Sequence, residues 1–217
     1  MANACLQFNR SFVKPDFSKA TYTMVDDRLR YIFCFIPKVA CTTWKRVLLM
    51  LTGKIGTNNA EDVPRPMVHS KTFVNKYLSS LNNYRPDEIE NRLKNYFKFM
   101  FVRHPFERIV SAYLDKFVRE NNFQTIYGTD IIKRYRPNAT EESLKEGRDV
   151  TFEEFVRHVV DSASLEDQTL NEHWQKFYLT CHPCSIQYDF IGKFETLHED
   201  AEFVLKRFAI FDVVSFH

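Results

Sequence analysis

Residues 31–53 read YIFCFIPKVACTTWKRVLLMLTG. The opening RYIFCFIP, from Arg30, is a continuous apolar and aromatic run of strand length, which reads as a strand buried on both faces. From Thr43 the period changes: Trp44, Val47, Leu48 and Leu51 recur at helical spacing, and Gly53 supplies a stop. Between strand and helix lie Lys38, Val39, Ala40, Cys41, Thr42 and Thr43. A strand end, a short turn and a helix start leave several main-chain N–H groups without intrahelical acceptors and aimed at one spot. The helix dipole adds positive potential there. Lys38 contributes a mobile full charge, the two threonine hydroxyls can donate, and small Ala40 and Cys41 allow an anion close to the main chain. The same residues read equally as an ordinary strand–helix connection, with a solvated Lys38 and Thr43 as N-cap.

A second stretch repeats the layout. YFKFMFV (96–102) reads as a strand and runs into RHPFERIVSAYLDKF, a helix with Pro105 near its start. Arg103 stands at the carboxyl end of that strand, where open α/β sheets bind ligands, and Ser111 lies eight residues on. A guanidinium and a hydroxyl so placed suit a phosphate. A purely structural arginine is the competing reading, and Arg108 reads either as a helper in that clamp or, in preference, as pairing with an acid on the helix surface. Two anion turns on two parallel strands suit a ligand with phosphates at both ends of a nucleoside. The glycines of a P-loop, its GK[ST] ending and a strand-end acid for magnesium are missing, so a metal-free grip is expected. Such a turn suits a nucleotide carrying sulfate in place of a terminal phosphate.

The remaining pattern predicts an α/β fold with a parallel sheet flanked by helices. Helices are expected at about 70–81, from Pro86, and after Thr151, which with Glu154 forms a capping box. YDFIGKFE is a third strand, followed by a last helix capped by Thr196 and Glu199. Residues 119–150 are polar, basic and loop-like, and residues 1–28 read as a polar arm. One domain is expected over 29–211, with a tail at 212–217.

The 217 residues are 44% hydrophobic and include 21 phenylalanines, which argues against disorder. A net charge of +2 gives no reason to expect nucleic acid as a partner. No apolar run approaches the roughly 20 residues that span a bilayer, and the N-terminus lacks a signal-peptide layout. Among the five cysteines, Cys181 and Cys184 form a lone CxxC around a proline, without the second pair that zinc would need. Buried or disulfide-forming structural cysteines are expected.

IPKVACTTWKR followed by FVRHPFERIVSAY resembles the two signatures of the Golgi carbohydrate sulfotransferases of the chondroitin, dermatan and HNK-1 group. The likeness continues through YGTDIIKRYRPNAT, FEEFV and NEHWQKFYLTCHPCSIQYDFIGKFETL, and the later blocks look most like the chondroitin and dermatan 4-O-sulfotransferases. The resemblance implies a PAPS-binding α/β fold using 3′-phosphoadenylyl sulfate (PAPS) as co-substrate, without metal. It assigns Lys38 through Thr43 to the 5′-phosphosulfate, and Arg103 and Ser111 to the 3′-phosphate. It also implies an anionic glycosaminoglycan or glycan acceptor and the lumenal side of the Golgi membrane, through an anchor not found in this chain. His69 is the first candidate for the catalytic base and His173 its rival, with Glu172 and Glu195 further behind. Lys133, Arg134 and Arg136, with Tyr127 and Tyr135 between and beside them, are candidates for acceptor binding. Family members run on past the equivalent of Phe211, so a domain incomplete at its C-terminus is expected. An inactive nucleotide- or glycan-binding fragment and a P-loop-like small-molecule kinase are the alternatives.

Overall fold

The computed structural model describes residue 17 and residues 20–119, 122–163 and 170–209. The arm up to residue 16, Cys5 within it, and the 212–217 tail lie outside the described residues. Among the described residues, β1 (Thr23–Asp26), β2 (Tyr31–Cys34), β3 (Phe97–Val102) and β4 (Phe190–Lys193) form one sheet in that order. β2, β3 and β4 run parallel, whereas β1 pairs antiparallel with β2. Within the span expected to be one domain, the chain packs as two compact units. One holds the residues up to Arg103 and those from Lys176 onward, the other His104–Gln175.

The first unit contains the sheet. Its core gathers Phe33, Phe99 and Phe101 from the strands and Trp44, Val47 and Leu48 from α1 (Cys41–Leu51). Phe33 stacks on Phe99 at 4.8 Å, and Trp44 lies 4.9 Å from Phe101. Each fully buried large side chain contributes about 1.5–3 kcal/mol. β1 arises inside the stretch expected to be an arm. Its ends are polar, but the Thr23 hydroxyl donates to the Ala20 carbonyl at 2.7 Å. The Asp26 carboxylate accepts from the N–H groups of Arg28 and Leu29, both at 2.8 Å, closing the turn into β2.

α2 (Arg65–His69) precedes the helix expected over 70–81, which forms as the shorter α3 (Lys71–Tyr77) with the Ser70 side chain capping it. It stops early because Ser79 bridges to Val25 of β1, whose N–H donates to the Ser79 carbonyl at 2.8 Å. α4 (Pro86–Asn95) leads into β3 as expected. Entry into β4 is fixed by Asp189, which accepts from the Lys98 main-chain N–H at 2.7 Å and meets its buried ammonium at 2.8 Å. Cys181, at the end of α9 (Phe177–Cys181; α5–α8 lie in the second unit), is bonded to Cys34 of β2 rather than to its CxxC neighbour. Cys184 is also disulfide-bonded, Cys41 is a free thiol, and His182 takes a left-handed cap conformation. The predicted Thr196–Glu199 box does not form: the Thr196 hydroxyl and the Lys193 N–H both donate to Asp200 of α10 (Leu197–Arg207) at 2.7 Å.

The second unit contradicts the loop expected over 119–150. α5 (Pro105–Tyr113) continues as a π-helical turn, Leu114–Val118, and a second π turn, Gln124–Gly128, leads into α6 (Thr129–Tyr135). α7 (Glu141–Glu146) and α8 (Phe152–Ala163) follow. Phe117, Ile131, Ile132, Phe155 and Trp174 form the core. Gly128 and Gly147 sit where their backbones touch, and a Cβ on either would collide with the other's turn.

The Thr151–Glu154 capping box forms as predicted, with Thr151 N–H to Glu154 Oε2 at 2.9 Å and Glu154 N–H to Thr151 Oγ1 at 3.2 Å. Arg136 donates to both oxygens of the same carboxylate at 2.7 Å and also pairs with Asp149. The Arg136 guanidinium, helped by the Thr151 bonds and opposed by burial, lowers the Glu154 carboxyl from 4.5 to about 2. Because the folded value is the lower one, this contribution to stability is complete above about pH 4.5 and is lost as the pH falls toward about 2. Glu154→Gln is therefore expected to destabilise the protein at neutral pH and to narrow the gap to wild type on acidification, measured as chemical unfolding at several pH values. A gap that stays constant with pH would contradict this assignment.

Candidate nucleotide site

The turn after β2 is built from unusual backbone. Lys38 (φ 72°) and Ala40 (φ 49°) both occupy the left-handed region without being glycine. Such residues cost about 1–3 kcal/mol each and persist only where their surroundings impose them. Val39 between them is buried in the core, and its N–H donates to the Ile36 carbonyl at 3.3 Å. With the Val39 N–H turned back to Ile36, the amides left for an anion are those at the start of the following helix.

α1 then starts at Cys41, not Thr43. Its N-cap is Ala40, which has no side chain able to cap, and the first turn carries no acidic residue. A helix start selected only for stability would carry Ser, Asp or Asn there, worth about 1 kcal/mol. The amides of Cys41, Thr42 and Thr43 have no intrahelical acceptor by helix geometry. Thr43 is not the cap that the ordinary-connection reading requires.

Two further side chains of this unit meet the turn. The Arg103 guanidinium donates from Nη1 to the Lys38 carbonyl at 3.3 Å, so the two motifs read from the sequence touch at the carboxyl edge of β2 and β3. His69, exposed at the end of α2, brings Nε2 within 3.1 Å of Thr42 Oγ1. Lys45, one turn into α1, lies 3.8 Å over the Phe35 ring. Burial holds its ammonium below the usual lysine range; Cys41 opposes this and Lys71 adds to it. Sequence reasoning missed Phe194, whose ring lies 4.1 Å beneath the Arg103 guanidinium. It lies within YDFIGKFE, read from the sequence only as strand.

The other candidates belong to the second unit. Ser111 is half-buried in α5. Arg108 is buried rather than on the helix surface, and donates to the carbonyls of Gln175 at 2.6 Å and Glu172 at 2.9 Å. His173 holds Nδ1 2.7 Å from Asn171 Oδ1 and meets Phe123 edge-on. Lys133 and Arg134 are exposed on the last turn of α6, and Arg134 lies 3.7 Å from Asp161. Arg136 is engaged by Glu154 and Asp149, which gives it a structural task joining α6 to α8.

Comparison with known proteins bears on this geometry. The Sulfotransferase family profile matches residues 21–217. Carbohydrate sulfotransferase 11 of Rattus norvegicus is 45% identical over 207 residues, covering 94% of this chain and 57% of the relative. Carbohydrate sulfotransferase 14 of Homo sapiens is 43% identical, covering 85% of this chain and 46% of the relative. Carbohydrate sulfotransferase 9 of Homo sapiens is 41% identical over 84% of this chain and 40% of its own length. No solved structure gives a significant match. The chain thus spans roughly half the length of these relatives. With a family match across nearly its whole length and relatives 41–45% identical over most of the chain, the chain belongs to the sulfotransferase family.

Proposed function

We propose that this protein transfers a sulfuryl group from PAPS to a sugar hydroxyl of an anionic glycan, the 4-hydroxyl of N-acetylgalactosamine in chondroitin or dermatan being the specific acceptor. The contact between Arg103 and the Lys38 carbonyl carries this reading, because it brings two cationic motifs together on adjacent parallel strands. The donor set fits a nucleotide with anionic groups at both ends: main-chain amides and Lys38 for the 5′-phosphosulfate, Arg103 for the 3′-phosphate. Ser111 keeps the 3′-phosphate role that the sequence resemblance gives it. The chondroitin or dermatan preference rests on the later sequence blocks, and so does residence on the lumenal side of the Golgi. Among the described residues no helix is long and apolar enough to cross a membrane.

The chemistry follows from where charge moves. The acceptor oxygen attacks sulfur in line, and the bond from sulfur to the bridging oxygen breaks, leaving its electron pair on the 5′-phosphate. Lys38 and the amides of residues 41–43 stabilise that charge. His69 takes the hydroxyl proton at its imidazole, and the Thr42 hydroxyl holds the ring at the rim of the turn. His69→Ala is expected to lower kcat by about 10²–10⁴-fold while leaving the affinity for adenosine 3′,5′-bisphosphate unchanged. The test is transfer of radiolabelled sulfate from PAPS to desulfated chondroitin, with His173→Ala beside it. Full activity in the His69 variant with loss in the His173 variant would move the base to His173.

Acceptor binding is assigned to Lys133 and Arg134, which present adjacent charges at the end of α6. Lys133→Glu with Arg134→Glu should raise the acceptor KM at least several-fold and spare PAPS affinity. An unchanged acceptor KM removes the assignment. Arg136 is left out of this test because its reversal would break the Glu154–Asp149 cluster.

A further inference from the structure

Parallel pairing fixes what stands beside Arg103. Val102 of β3 faces Lys193 of β4 in register, so Arg103 and Phe194, each one residue beyond, leave the sheet side by side. The guanidinium lies over the Phe194 ring, 4.1 Å from its centroid, and its Nη1 donates to the Lys38 carbonyl at 3.3 Å. Phe194 is half-buried and packs against the core of the first unit, so the ring is a fixed platform. A guanidinium carries all its N–H donors in its own plane, so stacking its face on an aromatic ring consumes none of them. A ring beneath and a carbonyl at one edge both restrict the orientation of the guanidinium. An arginine at a strand end without them would spread over many rotamers, and holding a phosphate would require ordering it first.

We propose that Phe194 is a positioning residue: it sets the plane of Arg103 so that the in-plane donors meet the 3′-phosphate of an adenosine nucleotide. This inference rests on the assignment of Arg103 to that phosphate in the function proposed above. It makes Phe194 a determinant of selectivity for nucleotides bearing a 3′-phosphate, with no direct contact to the reacting atoms.

Calorimetric titration with adenosine 3′,5′-bisphosphate and adenosine 5′-monophosphate isolates the effect, because the two differ only in the 3′-phosphate. Phe194→Leu keeps apolar bulk and removes the aromatic face; it is expected to weaken bisphosphate binding about 5–20-fold and leave the monophosphate unchanged. Phe194→Tyr is expected to retain wild-type selectivity. Arg103→Ala should abolish the preference for the bisphosphate. If Arg103→Ala abolishes it and Phe194→Leu does not alter it, the proposal is overturned while the nucleotide assignment stands. If Arg103→Ala leaves the preference intact, the nucleotide assignment fails and the proposal with it. Equal weakening of both nucleotides by Phe194→Leu signals general damage to the sheet edge and also overturns the proposal. Should the leucine variant fail to fold, Phe194→Met, of similar bulk and without a ring, takes its place under the same criteria.

Discussion

Replacing Lys38 by alanine is expected to slow sulfuryl transfer about 10²–10³-fold, the effect of removing one donor aimed at charge that develops in a transition state. The substitution leaves the backbone problem unchanged, because alanine carries the same Cβ and is no more at ease at φ 72° than lysine. Glycine would relax the turn and confuse the result. Lys38 is half-exposed, so its loss should shift the melting temperature little. Lys38→Arg should recover only part of the rate, since a planar fork cannot replace a compact ammonium. Single-turnover measurements at saturating acceptor provide the check. A Lys38→Ala protein transferring sulfate at the wild-type rate would remove Lys38 from the chemistry.

Loss of the Cys34–Cys181 bond should have the largest effect on stability. The two cysteines are 147 residues apart in sequence, and the segment between them includes the whole second unit. Closing so long a loop restricts the unfolded chain, and removing a native crosslink of this kind costs about 2–5 kcal/mol. Both side chains are buried, so the paired change Cys34→Ala with Cys181→Ala avoids leaving a lone thiol in the core. For a chain of this size the melting temperature should fall by on the order of 10 °C. Because β2 runs on into the Lys38 turn, nucleotide affinity should fall as well when the variant is assayed near its midpoint. A melting curve that superimposes on wild type, with and without reductant, would show that the bond contributes nothing.

Most of the sheet was legible because its strands announce themselves. YIFC, FKFMFV and FIGK lie in predicted strands, and the parallel β2 and β3 form the centre of the sheet, where continuous apolar runs belong. β1 was not legible. It is four residues long, begins with Thr and ends with Asp, and its polar side chains are satisfied by neighbours that only the fold brings near. The helices of the second unit were hidden for another reason. Gly128 and Gly147 look like loop punctuation, yet they mark a close crossing of backbones between short helices. α6 buries only Ile131 and Ile132, too few positions to establish a period.

At the site, the two candidate motifs were readable as strand–turn–helix segments from residue type and order. The Thr42–His69 contact joins positions 27 apart and was anticipated only as a catalytic role for His69. The Arg103–Phe194 stack joins positions 91 apart through the register of β3 and β4, which no local pattern encodes. Arg136 shows the converse: it looked like part of a basic ligand surface, but two carboxylates distant in sequence claim it.

The most direct measurement is the affinity for adenosine 3′,5′-bisphosphate, by calorimetry, of the wild-type chain, Lys38→Ala and Arg103→Ala. A grip at both ends of the nucleotide predicts tight binding by wild type and at least roughly tenfold weaker binding by each variant, as expected when a charged partner of an anion is removed. Two correctly folded variants that bind as tightly as wild type would contradict it.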